Sequence, residues 1–407
     1  MDRLFSSTSI TSFDEFKYFT NIIKIIGVSY DNGDFVNCTS LQSITIPDSI
    51  KYIEAGSFYN CGNLKTINLS NVESIKNYAF SNCLNLSIEL NLPKLTGYFT
   101  GFPGSGITKV VDLGYITKMS SSDSSHELTD ACLAQCPNLT EVNIPDTCIQ
   151  IGGMSNCPKL TTVNFNNNVT IIGERTFYND TSLITIGDVS KVTVIGKDSF
   201  NGTAFTSLSF PSCTTLIGQY LSYQFSNCKK LTTISFNDNF TGISNGAFNG
   251  CSSLISISTL SHVITIGSSA FTNCSSLKTL DLTSVCTTIG DQSFCNCSSL
   301  ESIGDINSVT TIGYDEFSNC KVLKTIELTN ITSIGNNAFR ACPSLKYLKI
   351  NASSVPTVGS NILYGSDICK IYVTDSLVNS YKSATNWSAY ASRIFSLTQF
   401  AIDFPNG

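Results

Sequence analysis

Residues 271–282 read Phe271-Thr272-Asn273-Cys274-Ser275-Ser276-Leu277-Lys278-Thr279-Leu280-Asp281-Leu282, and the skeleton Phe-x-x-Cys-x-x-Leu-x-x-Leu-x-Leu in this stretch decides the fold. Its members return together. Phe248, Cys251 and Leu254 precede it, while Phe294, Cys297, Leu300 and Phe317, Cys320, Leu323 follow. A fixed period of about 23 residues marks a solenoid, in which each coil buries its apolar face only against its neighbours. Most apolar residues are thereby assigned to stacking, and few remain to line a catalytic pocket.

The same frame holds at Phe35/Cys38/Leu41, Phe58/Cys61/Leu64, Phe80/Cys83/Leu86, Phe225/Cys228/Leu231 and Phe339/Cys342/Leu345. Leu133/Cys136/Leu139 and Met154/Cys157/Leu160 replace only the aromatic, whereas Phe177 and Phe200 keep the aromatic and lose the thiol. Alternation within Leu280-Asp281-Leu282 points two side chains inward and one outward, as a strand of a parallel sheet requires. The run from Ser268 to Cys274 breaks that alternation and predicts a short helix or 3₁₀ turn on the opposite side. Gly267, Gly290, Gly313 and Gly335 each follow an isoleucine and suit the corner between the two.

The Ser/Thr-Ile-Gly, Ala-Phe-x-x-Cys-x-x-Leu and Ile-Pro elements, the last seen in Thr45-Ile46-Pro47 and Asn143-Ile144-Pro145, resemble the BspA-like class of leucine-rich repeats. The resemblance spans Ile22 to Ile350. The segment from Ile371-Tyr372-Val373 to Trp387 is similar to the closing segment that follows such arrays in gut bacteria of the Bacteroides type. The implied fold is a right-handed leucine-rich-repeat stack with one parallel β-sheet and short helix, 3₁₀ or turn segments opposite it. Residues 1–21 read as an N-terminal cap, 22–350 as about 14 coils with an irregular insertion near 91–127, and 351–407 as a C-terminal cap. In the first cap Phe13, Phe16 and Phe19 are spaced to cover the first coil. In the second, Thr374 is placed to cap a helix and Trp387 to seal the last coil.

Composition narrows the function classes. A net charge of −6 and the lack of a basic stripe argue against nucleic acid. Only 13% of residues are charged, against about 25% in ordinary domains, so Ser, Thr and Asn must cover the surface. No apolar run reaches the 18 or more residues of a membrane span, so no membrane insertion is expected. Residues 1–19 carry Asp14 and Glu15 and lack an apolar core, which predicts either a chain already trimmed or arrival by a route other than general secretion.

Eleven of the 17 cysteines occupy one repeat position. A small apolar thiol suits a crowded inward site, and the reading is a reduced packing ladder. Stacked cysteines about 5 Å apart also fall within disulfide range, but parallel side-chain vectors make that geometry poor. The other six are Cys132, Cys148, Cys213, Cys286, Cys295 and Cys369, and none has zinc-site company.

No catalytic residue, metal or cofactor is assigned. His262 reads as an exposed repeat position, and His126 lies in a polar tract with Asp123 and several serines. A triad needs three groups fixed by different rigid elements, which one loop does not supply. The chain shows neither a phosphate-cradling glycine loop nor an Asp-x-Asp-x-Asp-Gly calcium loop.

Function is therefore sought on the surface. Outward strand positions such as Thr66, Asn68, Glu141, Asn143, Thr162, Asn164, Thr279, Asp281, Tyr347 and Lys349 make a hydroxyl-and-amide face. Such a face binds protein or glycan, and is also what β-propensity and solubility select. Two departures from the repeat concentrate aromatics and yield the candidate contact residues Tyr98, Phe99, Phe102, Tyr220 and Tyr223. The expectation is a non-enzymatic adhesion module facing the cell exterior and binding a host or bacterial surface protein or glycan. The alternative is a structural or receptor-binding appendage of a phage infecting gut bacteria, which would add virion proteins as partners.

Overall fold

The computed structural model describes residues 5–29, 32–119, 132–216, 222–258 and 260–405. Contacts divide the chain into two units, residues 1–205 and 206–407. Both are stacks of parallel coils.

In the first unit the Leu-x-Leu position builds a five-stranded parallel sheet from Glu89–Asn91, Lys109–Asp112, Glu141–Asn143, Thr162–Asn164 and Thr185–Ile186. Its register aligns Glu89, Lys109, Glu141, Thr162 and Thr185 across successive coils. A second parallel row comes from Thr96–Tyr98, Tyr115–Lys118, Gln150–Ile151, Ile171–Ile172 and Val194–Ile195. The same two rows recur in the second unit, for example at Thr279–Leu282 and at Thr288–Ile289. The Ser/Thr-Ile step thus adds a second ladder to the expected sheet: its β-branched isoleucine favours extended backbone, and each strand pairs with its equivalent one coil away.

The third side of each coil is a turn. Cys274 N–H donates to the Phe271 carbonyl at 3.0 Å, and the residue before the cysteine adopts left-handed backbone, φ 64° at Asn273, 63° at Asn296 and 63° at Asn319. Asparagine tolerates that conformation and then stacks: Asn296 Nδ2 donates to Asn273 Oδ1 and Asn319 Nδ2 to Asn296 Oδ1, each at 2.9 Å.

Two ladders fill the core. Phenylalanine rings lie nearly parallel at 4.8–5.0 Å through Phe35, Phe58, Phe80 and Phe102, and at 5.3–5.5 Å from Phe225 through Phe339. Beside them all eleven repeat cysteines are buried, and none forms a disulfide. Thiols of the ladder reach the coil before them: Cys61 donates to Phe35 O at 3.0 Å, Cys83 to Phe58 O at 3.2 Å, Cys274 to Phe248 O at 3.1 Å and Cys297 to Phe271 O at 3.1 Å. The cysteine therefore packs and pairs a carbonyl at once, which an alanine would leave to its turn contact alone.

The ends are closed by aromatics. Phe5 stacks on Phe35 at 5.1 Å and Phe16 meets the same ring at 5.9 Å, while Phe19 stays half exposed. At the other end Trp387 is buried and its Nε1 donates to Pro356 O at 2.8 Å. Thr374 makes no side-chain cap; its hydroxyl donates to Ala352 O at 2.8 Å.

Candidate functional site

The described part of the irregular region near 91–127 is a coil. Its strands pair in both rows, and Phe102 stacks on Phe80 at 4.8 Å in the aromatic ladder. Phe102-Pro103-Gly104-Ser105 is the Phe-x-Asn-Cys step with glycine in the left-handed position, φ 67°, and serine for the thiol. The signal was present as even spacing of Phe35, Phe58, Phe80 and Phe102, but the absent Asn-Cys pair hid it.

The five candidate residues accordingly separate. Phe99 and Phe102 are fully buried and their rings are 5.8 Å apart, so they belong to the core and present no contact surface. Tyr98 is exposed at the end of its strand, with Lys118 Nζ 5.9 Å from its ring. Tyr223 lies half buried over Gly246, where a Cβ would meet its ring at 2.3 Å. Tyr220 falls outside the described residues, as do His126 and Asp123. His262 is exposed, and its Nδ1 lies 2.8 Å from Asp238 O.

The outward rows are partly occupied by internal bonds. The Thr140 and Thr161 hydroxyls donate to Thr108 O and Thr140 O at 2.9 and 3.1 Å, and Thr232 and Thr332 repeat the pattern at 2.8 and 2.9 Å. Lys109 Nζ pairs with Glu141 Oε2 at 2.9 Å, and Lys349 Nζ with Glu327 Oε2 at 3.0 Å. Tyr347, taken as outward, is covered: the helix Leu397–Asp403 lays Phe400 against it, with ring centroids 4.9 Å apart.

Among the described residues two carboxyls, those of Asp180 and Glu316, are fully buried. Asp180 stands in the cysteine position of its coil, where its Oδ1 accepts from Cys157 N–H at 2.7 Å; Oδ2 has no partner among the described residues. Glu316 replaces the small residue before Phe317, and its Oε2 accepts from Gly313 N–H. Burial pushes both well above the usual carboxylate range. Each is a substitution within a packing ladder, without an opening to substrate. Among the described residues no group of three His, Cys, Asp or Glu side chains could hold a metal ion.

A pair of adjoining depressions at the C-terminal end was not legible in the repeat pattern. One, of about 410 Å³, is lined by Asn337, Arg340, Asn361 and Tyr364; the other, of about 440 Å³, by Asn361, Tyr364, Asp367, Tyr390 and Arg393 among others. Tyr364 and Asn361 border both. Arg340 and Tyr364 occupy equivalent places on consecutive coils, which sets the guanidinium 5.9 Å from the ring centroid. Tyr390 and Arg393 come from the 3₁₀ segment Trp387–Arg393, held down by Arg393 Nη1 donating to Ser366 O at 3.0 Å.

A family model for BspA type leucine rich repeat regions matches residues 2–100, 112–221, 220–346 and 317–396. Among solved structures, a leucine-rich repeat protein from Bacteroides ovatus is similar at 22% identity, with 93% of each chain covered and a TM-score of 0.59. A leucine rich cell surface protein from Faecalibacterium prausnitzii is 22% identical over 83% of this chain and 81% of its own, TM-score 0.39. A leucine-rich repeat protein from Eubacterium ventriosum is 20% identical over 80% and 83%, TM-score 0.45. No curated protein matches.

Proposed function

The chain belongs to the BspA-type leucine-rich repeat family, and from that premise we propose that it is a non-enzymatic binding module that presents its coils to a surface protein or glycan. The observation that carries this reading is the in-register outer row Glu89, Lys109, Glu141, Thr162 and Thr185, an ordered strip of side chains on a rigid backbone. Rigid presentation lowers the ordering cost of association, which is what a binding scaffold needs. The ladder phenylalanines and repeat thiols are meanwhile buried by stacking. We place the module outside the cell, where such partners lie; no helix among the described residues is long and apolar enough to cross a membrane.

The test is a screen of the full chain against immobilised host matrix proteins and bacterial surface glycans. Saturable binding to one of them, without turnover, is the expected outcome. Absence of binding across the panel, or catalytic turnover of a bound component, overturns the reading.

A further inference from the structure

Resting on that binding function, we propose that the C-terminal depressions form a two-subsite glycan cleft that takes a carboxylate-bearing pyranose against Arg340 and a neutral pyranose against Tyr390.

The chemistry of the lining carries the assignment. Tyr364 is 67% exposed, so its ring is open to a ligand. Arg340 is exposed beside it and makes no ion pair among the described residues. A planar guanidinium is the side chain best matched to a carboxylate, by two parallel hydrogen bonds. Asn337 and Asn361 line the same depression, and each offers one acceptor and two donors, suited to ring hydroxyls. The first subsite thus combines an aromatic face, a free cation and two amides, with no aliphatic side chain in its lining.

The second subsite differs in charge. Asp367 lies 3.7 Å from Arg393 Nη2 with its side chain 86% exposed, so the cation there already has an anion beside it. That carboxylate accepts from hydroxyls and repels a second acid, which orders the two sugars. Arg393 also sits 5.9 Å from the Tyr390 ring centroid, leaving aromatic surface at the cap side. Both volumes fall within the range of about 300–1,000 Å³ usual for small-ligand sites. A protein anchor is the less suited occupant of the first subsite, because hot-spot side chains seat in water-excluding apolar pockets and no aliphatic side chain lines it; Leu363 adds one to the second.

The test is calorimetric titration of the full chain at low salt with three probes: hyaluronan oligosaccharides, sialyllactose and neutral lactose. Saturable binding of an acidic probe, with lactose weaker by roughly tenfold or more, is expected. Tyr364→Ala should weaken it by about tenfold or more, and Arg340→Gln should remove the preference for the acidic probe. Thr39→Ala, at an exposed turn position outside the strand rows, should bind as the parent, and melting of all three variants should match it. Equal affinity for lactose, parental binding by Tyr364→Ala, or no saturation by any probe overturns the proposal. So does an acidic peptide that binds through Tyr364 while the sugars do not. If the sugar titrations fail while the parent still adheres to a matrix protein or cell surface, only the cleft assignment falls; if the parent adheres to nothing, the binding function falls with it.

Discussion

Asp180 accepts a hydrogen bond from the backbone N–H of Cys157 at 2.7 Å from the very position that a thiol fills in the regular coils. Ser366 does the same one repeat past Cys342, accepting from its N–H at 2.8 Å and donating to Phe339 O at 2.7 Å. Serine is neutral and satisfies both neighbours. Asp180 leaves Oδ2 without a partner among the described residues, in a site that is 0% exposed.

Asp180 therefore makes stability depend on pH in an uncommon sense. Its folded pKa is raised by burial. A carboxyl of that kind contributes stability that is complete below its unfolded value near pH 4 and is lost as pH rises through its folded value. Asp180→Asn should stabilise the protein by about 1–3 kcal/mol at neutral pH and by progressively less as the pH approaches 4. Denaturant melts across that range check it. An unchanged or wider gap between variant and parent at low pH contradicts the burial argument.

The thiols should separate by exposure. Cys295 alone is half buried and the other cysteines are buried; burial also pushes Cys83 and Cys342 up to about 12. Only the thiolate attacks a labelling reagent. The Cys61 thiol beside it draws Cys38 down to about 6, but Cys38 is 1% exposed, and burial raises Cys295 as well; access decides, so native labelling read by mass spectrometry should modify Cys295 first and reach the ladder only on unfolding. Prompt native labelling of Cys83 or Cys342 would show that the coils open.

The register of the Leu-x-Leu strand is testable at adjacent positions. Within Thr279–Leu282, Leu280 is buried and Thr279 is exposed. Leu280→Ala should cost about 2–5 kcal/mol, and Thr279→Ala no more than about 0.5 kcal/mol. Equal losses in denaturant melts would refute the inward and outward assignment.

Tyr98 and Phe102 stand four residues apart and should respond in opposite ways. Phe102→Ala removes a ladder ring and should cost about 3–5 kcal/mol, whereas Tyr98→Ala at an exposed site should stay within about 0.5 kcal/mol. Thermal melts decide it. A tolerated Phe102→Ala would return this segment to the status of a loop.

Phe271, Cys274 and Leu277 were legible because a solenoid repeats one local solution, so period and side-chain type together specify the fold. The reduced cysteine ladder followed from the same repetition, although its pairing with the preceding phenylalanine carbonyl did not. Phe99 and Phe102 were misplaced for the opposite reason: once Asn and Cys give way to Gly104 and Ser105, the local pattern vanishes while the stacking position survives. Tyr347 was misplaced by a segment some 50 residues away, since alternation marks a side chain as outward without saying what lies on it.

What the amino-acid sequence determined by itself was the coil, because each coil's burial is settled by neighbours of the same pattern. What only tertiary structure decided was the surface. Arg340, Tyr364, Tyr390 and Arg393 come together through the stacking of two coils and the docking of the C-terminal cap. No short-range periodicity encodes that meeting, since it depends on where a non-repeating segment finds partners for its own buried polar groups, Trp387 Nε1 at Pro356 O and Arg393 at Ser366 O.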